Sequence, residues 1–313
     1  MRVKKTYNLY LVYLVVQVIA AYILYFFVDY NSLDPMVYNI IGQLLFFIPT
    51  IVVGISMFGK PVMGKTNFLD CTLAVLLAFA VEPLISLLSL ATAMFFPNNV
   101  TEAFQIAYES PLVISIISMA VFPALLEEIV FRGFIFSGFK NTKLKHACIV
   151  AGLLFAFAHN DLQQFLYAFF VGVLLCYVCY KTKSIIPGII THFTINATQI
   201  MMSRASFSSE AVEQTLEAVE AISYQEVFFM YLRLSVISLP VIFLIIKMMG
   251  RRVVLAPEKK FVDFTKVNDI EMLEISDESV YDYNPEYPEK IFNWKLLLII
   301  LLYLIQFYYY FLS

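Results

Sequence analysis

Read along its length, the chain is a series of long apolar runs separated by short polar segments. A bilayer-spanning helix needs about 20 mostly apolar residues. Nine stretches have that character: roughly 9–28, 36–57, 72–96, 112–139, 147–160, 164–180, 185–202, 227–249 and 291–312. The fifth and sixth are short, and the fourth is long with Pro123 near its middle. Their apolar residues are continuous rather than alternating, which argues against the strands of a membrane barrel. The pattern predicts an all-α, polytopic membrane protein with eight core helices and one extra C-terminal helix. The first run follows Arg2, Lys4 and Lys5, as a secretion signal would. It exceeds a signal's apolar stretch and no small-residue cleavage site follows, so it is read as an uncleaved span.

Composition agrees. Of 313 residues, 61% are hydrophobic and 14% charged, with a mean hydropathy of +0.79. A soluble domain holds about 45–50% apolar and about 25% charged residues. The excess excludes a soluble enzyme, a disordered regulator and a nucleic-acid binder. The net charge of −3 conceals a split. One set of helix ends carries Arg2, Lys4, Lys5, Lys60, Lys65, Lys140, Lys143, Lys145, Lys181, Lys183, Arg251 and Arg252. The other set, at 29–35, 97–111, 160–163 and 203–226, is rich in carboxylates and has Arg204 as its lone cation. Positive loops favour the cytoplasm, so alternation through nine spans predicts a cytoplasmic N-terminus and an external C-terminus.

Two polar stretches interrupt the spans. Residues 250–290, rich in Asp and Glu and bearing Pro257, Pro285 and Pro288, read as a cytoplasmic linker tethering the last helix. Residues 209–224 set Val212, Leu216, Val219 and Ile222 on one helical face and Glu210, Glu213, Glu217 and Glu220 on another. They read as an amphipathic helix on the outer interface, with a gating cap as the sharper alternative. Cys71, Cys148, Cys176 and Cys179 all lie in or beside apolar runs, so no disulfide framework is implied. Cys176 and Cys179 are read as packing.

Ionisable side chains within spans are functional candidates, because insertion costs about 2.5–3.5 kcal/mol each. The fourth span holds Glu127, Glu128 and Arg132, the fifth ends at His159 and Asn160, and the seventh holds Thr191, His192 and Asn196. Glu128 and Arg132, four apart, share a helix face and can pair. Glu127 points about 100° away with no local cation, which suits a general base. His192 and Asn196 also share a face, and His159 must reach them from another helix. Rise along the helices is compatible with one site near mid-membrane, opening to either side. Glu82, beside Pro83, could line that cavity or simply face neighbouring helices. Arg233 is expected to pair or snorkel, Lys247 to anchor a helix end, and Tyr308–Tyr310 to form an interfacial belt.

Glu127-Glu128-x-x-x-Arg132, Phe155-x-x-x-His159 and His192-x-x-x-Asn196, in this order and each within a span, resemble the three motifs of the CPBP family. That family comprises type II CAAX prenyl endopeptidases and Abi-like bacteriocin-processing and immunity proteins. The resemblance covers roughly residues 70–250. It implies N-terminal helices over 1–70, an intramembrane protease core over 71–250, an acidic linker over 251–290 and an appended helix over 291–313. It further implies that Glu127 and His159 activate water, that His192 and Asn196 stabilise the oxyanion, and that Glu128 and Arg132 support them. A metal-free mechanism is favoured, with a zinc site of Glu127, His159 and His192 as the alternative. The implied partners are the lipid bilayer and a membrane-associated peptide or lipidated protein, with no nucleic acid. Two other classes compete: a catalytically inactive scaffold or immunity protein, and a proton-coupled transporter.

Overall fold

The computed structural model describes residues 2–61, 63–96, 99–207, 223–250 and 289–312. The amphipathic segment at 209–224 and the acidic linker at 251–290 lie outside the described residues, save for 223–224 and 289–290.

Helices occupy all nine apolar runs. In chain order they are α1 (Arg2–Phe27), α2 (Pro35–Phe58), α3 (Phe68–Ala93), α4 (Asn99–Glu109), α5 (Leu112–Phe136), α6 (Leu144–Ala158), α7 (Leu162–Thr182), α8 (Ile186–Phe207), α9 (Tyr224–Met248) and α10 (Trp294–Leu312). Six of them, α1, α2, α3, α5, α7 and α9, are long and apolar enough to cross a membrane. No strand occurs among the described residues. The fold is all-α and polytopic. Polar caps set the helix starts at the carboxylate-rich end: Asp34 accepts from the Met36 N–H at 2.8 Å, and Asp161 from the Gln163 N–H at 2.8 Å. Ser223 and Glu226 form a reciprocal capping box on α9.

The short helix α4 departs from the expectation of a plain loop over 97–111. Its composition explains it: Ala103, Phe104, Ala107 and Tyr108 recur at helical spacing, with Glu102, Gln105 and Glu109 on the other side. Arg204 of α8 fixes its C-terminal end, donating to the carbonyls of Ala107 at 2.6 Å and Ser110 at 3.0 Å.

Helix α5 is the axis of the bundle. Every residue from Val130 to Phe136 is buried, and the helix packs against α1, α2, α6, α7 and α8. Elsewhere, large apolar side chains such as Val18, Val52, Phe79, Val236 and Phe243 point outward. That arrangement suits lipid rather than water as the solvent of the outer faces. Arg233 and Lys247 are exposed on α9.

Helices α6 and α7 approach closely because glycines face each other. A Cβ on Gly172 would lie 2.8 Å from the Gly152 Cα, and one on Gly152 would lie 2.9 Å from the Val173 backbone nitrogen. Small residues allow such contact between membrane helices. Gly172→Ala is therefore expected to destabilise the protein by about 1–3 kcal/mol through overpacking. A thermal melt in detergent micelles measures this, and an unchanged transition would count against the close packing.

The C-terminal helix is docked, not merely tethered. The Tyr7 hydroxyl donates to the Ile291 carbonyl at 2.6 Å, and the Tyr10 hydroxyl bonds the Tyr303 hydroxyl at 3.0 Å and the Leu154 carbonyl at 2.8 Å. Phe157 stacks on Tyr303 at 4.4 Å between centroids. Glu289 accepts from the Arg2 N–H at 3.0 Å and from the Asn141 side-chain amide at 3.1 Å.

Candidate active site

The three motifs meet around the middle of α5, where the helix is irregular. Two π-helical turns, Ile117–Val121 and Ile129–Phe136, flank the α-helical residues Phe122–Glu128. Such widened turns recur at functional sites. Pro123 has no N–H to give the Met119 carbonyl four residues back. The Asn196 amide donates to that carbonyl at 2.9 Å, and Gln43 donates to the Ser118 carbonyl at 2.8 Å. The Asn39 amide completes the grip by donating to the Ser118 hydroxyl at 3.0 Å. The proline thus draws α2 and α8 onto one turn of α5.

Below this turn lies a buried charge cluster. Arg132 Nη1 donates to Glu128 Oε1 at 2.7 Å, with both side chains fully buried. Arg132 Nη2 donates to the Gly172 carbonyl at 3.2 Å, a contact that the glycine pair makes possible. The guanidinium also lies 4.4 Å above the Phe155 ring, a favourable cation–π placement. His192 Nδ1 bonds the same Glu128 Oε1 at 3.0 Å. Glu128 therefore joins Arg132 to His192 across α5 and α8, and Nε2 remains as the second polar atom of the His192 ring. Thr191, next to it, anchors α8 to α3 by donating to the Ala74 carbonyl at 3.1 Å.

His159 sits where α6 ends. Its backbone N–H bonds Ala156 in a tightened last turn, which leaves the Phe155 carbonyl without its usual partner. His159 Nδ1 takes that carbonyl at 2.9 Å. A carbonyl only accepts, so Nδ1 carries the proton and Nε2 presents its lone pair. Asn160 then adopts a left-handed conformation, with φ of 52°, which asparagine tolerates better than most residues. Asp161 caps α7 immediately after, so the imidazole is held at a sharp corner.

Glu127, His159, His192 and Asn196 line one cavity of about 370 Å³. Helices α2, α3, α4, α5, α7 and α8 supply its other walls. Ile85 of α3, the lining residues of α7 and Ala103 and Phe104 of α4 lie nearer the carboxylate-rich end, whereas Glu127 of α5 and His192, Ile195 and Asn196 of α8 lie at or past the helix midpoints toward the lysine-rich end. Glu127, His192 and Asn196 thus sit about the middle of α5 and α8, and His159 sits at the end of α6. Glu127 Oε2 is buried with no hydrogen-bond partner. Glu128 and Arg132 lie behind the wall and reach the cavity through His192.

Several lining residues had not been singled out in the sequence: Asn39, Gln43, Ser118, Gln164, Tyr167 and Gln199. Gln199 was readable, since 192, 196 and 199 follow one helical face. Gln43 was a lone amide in an apolar run, whose partner only the folded chain reveals. Glu82 is not on the wall but bonds Gln199, which is.

Among the described residues no three His, Cys, Asp or Glu side chains are grouped as a metal ion requires. Glu127, His159 and His192 share the cavity without forming such a cluster, and no step is derived through a metal.

Comparison with known proteins bears on the same region. No curated protein matches the chain. No solved structure matches it either. A family model described as type II CAAX prenyl endopeptidase Rce1-like matches residues 109–198, under a third of the chain but the part that contains Glu127, Glu128, Arg132, His159, His192 and Asn196. With three motifs on three helices around one cavity, the stretch from α5 to α8 is similar to the Rce1-like type II CAAX prenyl endopeptidases.

Proposed function

We propose that the protein is an intramembrane endopeptidase that hydrolyses a membrane-associated peptide or lipidated protein with Glu127 as general base. The observation that carries this reading is the meeting of Glu127, His159, His192 and Asn196 on one cavity wall, with a Glu127 oxygen buried and unpartnered.

Amide hydrolysis needs an activated water and donors for the developing oxyanion. Glu127 removes a proton from a water that His159 Nε2 orients by accepting its other hydrogen. The water oxygen attacks the scissile carbonyl, whose π electrons move onto oxygen. Asn196 has two N–H groups, one committed to Met119 and one available to the oxyanion. His192, held through its Nδ1 by Glu128, stands beside Asn196 as the second group at the oxyanion. When the intermediate collapses, the carbon–nitrogen bond breaks and the proton on Glu127 passes to the leaving amine. The products are a carboxylic acid and an amine.

The core of this activity occupies 71–250, with 1–70 and 291–313 as flanking membrane helices and 251–290 as a connecting segment. The lysine-rich ends, N-terminus included, lie in the cytoplasm, and the C-terminus lies outside.

The test is hydrolysis of a quenched, membrane-anchored peptide by the purified protein in vesicles. Asn196→Ala removes one oxyanion donor and is expected to lower kcat by about 10²–10³-fold. Hydrolysis unaffected by this change would remove Asn196 from the chemistry, and no hydrolysis of any anchored peptide would overturn the peptidase reading.

A further inference from the structure

The α7 wall of the cavity carries a hydrogen-bond chain whose direction is fixed from one end. Asp161 is buried, and its carboxylate only accepts, so the Gln164 side-chain nitrogen donates to Asp161 Oδ2 at 3.2 Å. Gln164 Oε1 is thereby turned the other way, and the Tyr167 hydroxyl donates to it at 2.8 Å. Each link sets the next. With its hydrogen committed, Tyr167 presents only oxygen lone pairs to the cavity that it and Gln164 line. The same aspartate caps α7 through Oδ1, which accepts from the Gln163 N–H at 2.8 Å.

Register puts that oxygen beside the reacting groups. Helices α6 and α7 are antiparallel, and they touch where a Cβ on Gly172 would lie 2.8 Å from the Gly152 Cα. From that contact toward the carboxylate-rich end it is seven residues to His159 and five to Tyr167. At 1.5 Å per residue the two differ by only about 3 Å in depth. Glu127 lines the same cavity and interacts electrostatically with Tyr167. A trans amide aims its N–H away from its C=O. A scissile carbonyl turned toward Asn196 and His192 on α8 therefore turns its N–H to another wall, and Tyr167 supplies an acceptor there beside His159 and Glu127.

We infer that Tyr167 accepts the N–H of the scissile amide, and that Asp161, acting through Gln164, is the positioning residue that keeps the phenol an acceptor. The inference rests on the peptidase reading above. Held by its hydrogen, the scissile nitrogen directs its lone pair toward Glu127 in the tetrahedral intermediate. The proton on Glu127 passes to that lone pair, and the carbon–nitrogen bond breaks with its electrons staying on nitrogen. The oxyanion re-forms the carbonyl, and the amine leaves with its own hydrogen and the one received. Tyr167 begins and ends as a neutral phenol.

The experiment uses the full chain in vesicles and two membrane-anchored substrates of one sequence, a peptide and its depsipeptide, in which an ester oxygen replaces the scissile N–H. Tyr167→Phe is expected to lower kcat/KM for the peptide about three- to tenfold, the scale of one hydrogen bond, and to leave the ester unchanged. Equal loss on both substrates would assign the hydroxyl to packing and overturn the inference, as would no loss on the peptide. Asp161→Asn keeps the shape and the helix cap, because asparagine caps as well as aspartate. Its side-chain nitrogen donates where the carboxylate accepted, which reverses Gln164 and frees the Tyr167 hydrogen toward the cavity. Peptide hydrolysis is expected to fall at least as far as in Tyr167→Phe, while ester hydrolysis holds or rises. The two substitutions together should be no worse than Tyr167→Phe alone. A loss in Asp161→Asn that adds to that of Tyr167→Phe, or that strikes the ester too, would overturn the chain of control. Ester turnover reports folding in every variant. Hydrolysis of neither substrate by the wild type would overturn the peptidase reading and this inference with it, whereas an unchanged peptide-to-ester ratio in active variants would sink this inference alone.

Discussion

Glu127→Gln is expected to cut hydrolysis of a membrane-anchored peptide by about 10²–10⁴-fold, the usual worth of a positioned general base. Two features make this the sharpest test. The substitution keeps the shape of the side chain, and Glu127 Oε2 has no partner whose loss would disturb the fold. The variant should therefore melt at the wild-type temperature while losing turnover, a combination that a structural role does not produce. Binding of a peptide should survive, since Asn196, His192 and the rest of the cavity wall remain. Retention of full activity by the purified variant would rule out Glu127 as the base and shift attention to His159, whose Nε2 faces the same cavity with its lone pair free.

The second large effect concerns stability. Arg132→Ala removes the cation beside a fully buried carboxylate, and leaving such a charge unpaired typically costs about 3–5 kcal/mol. Arg132→Lys should recover little, because Arg132 gives one nitrogen to Glu128 and another to the Gly172 carbonyl, a fork that an ammonium does not reproduce. The paired replacement Glu128→Gln with Arg132→Met removes both charges and is expected to be less destabilising than Arg132→Ala alone. It should nevertheless lose activity, since Glu128 also holds His192 Nδ1. Thermal melts of the three variants with parallel peptide hydrolysis separate the two roles. A melt of Arg132→Ala indistinguishable from wild type would mean that water or lipid headgroups reach Glu128, contrary to its burial.

Much of this architecture was legible from one dimension. Long apolar runs can persist only as helices in lipid, where every backbone group must be satisfied within the segment. Helices consequently fall on all nine runs. The Glu128–Arg132 pair followed from four-residue spacing alone, since neighbours on one helix face meet whatever the tertiary fold. The helix α4 was missed although its amphipathic spacing was present, because a stretch of eleven residues carries too little periodicity to stand out beside spans twice its length. The docking of α10 was also not legible. It rests on Tyr7, Tyr10 and Tyr303, residues ordinary in any membrane helix until their hydroxyls find one another.

By itself the sequence determined the class of protein, the positions of its helices, the sign of charge at each end and the handful of polar side chains too costly to be incidental. These depend on local quantities: hydropathy, spacing along one helix and the composition of short connections. The tertiary structure decided which of those side chains share a cavity, that Glu128 serves Arg132 and His192 at once, and that Ala103 and Phe104 of α4 border the site. It also decided which amide donors are already spent, through the carbonyls that Pro123 leaves open on α5. Such facts depend on how separate helices are turned and offset against each other. Packing between distant segments sets those angles, and no local pattern encodes them.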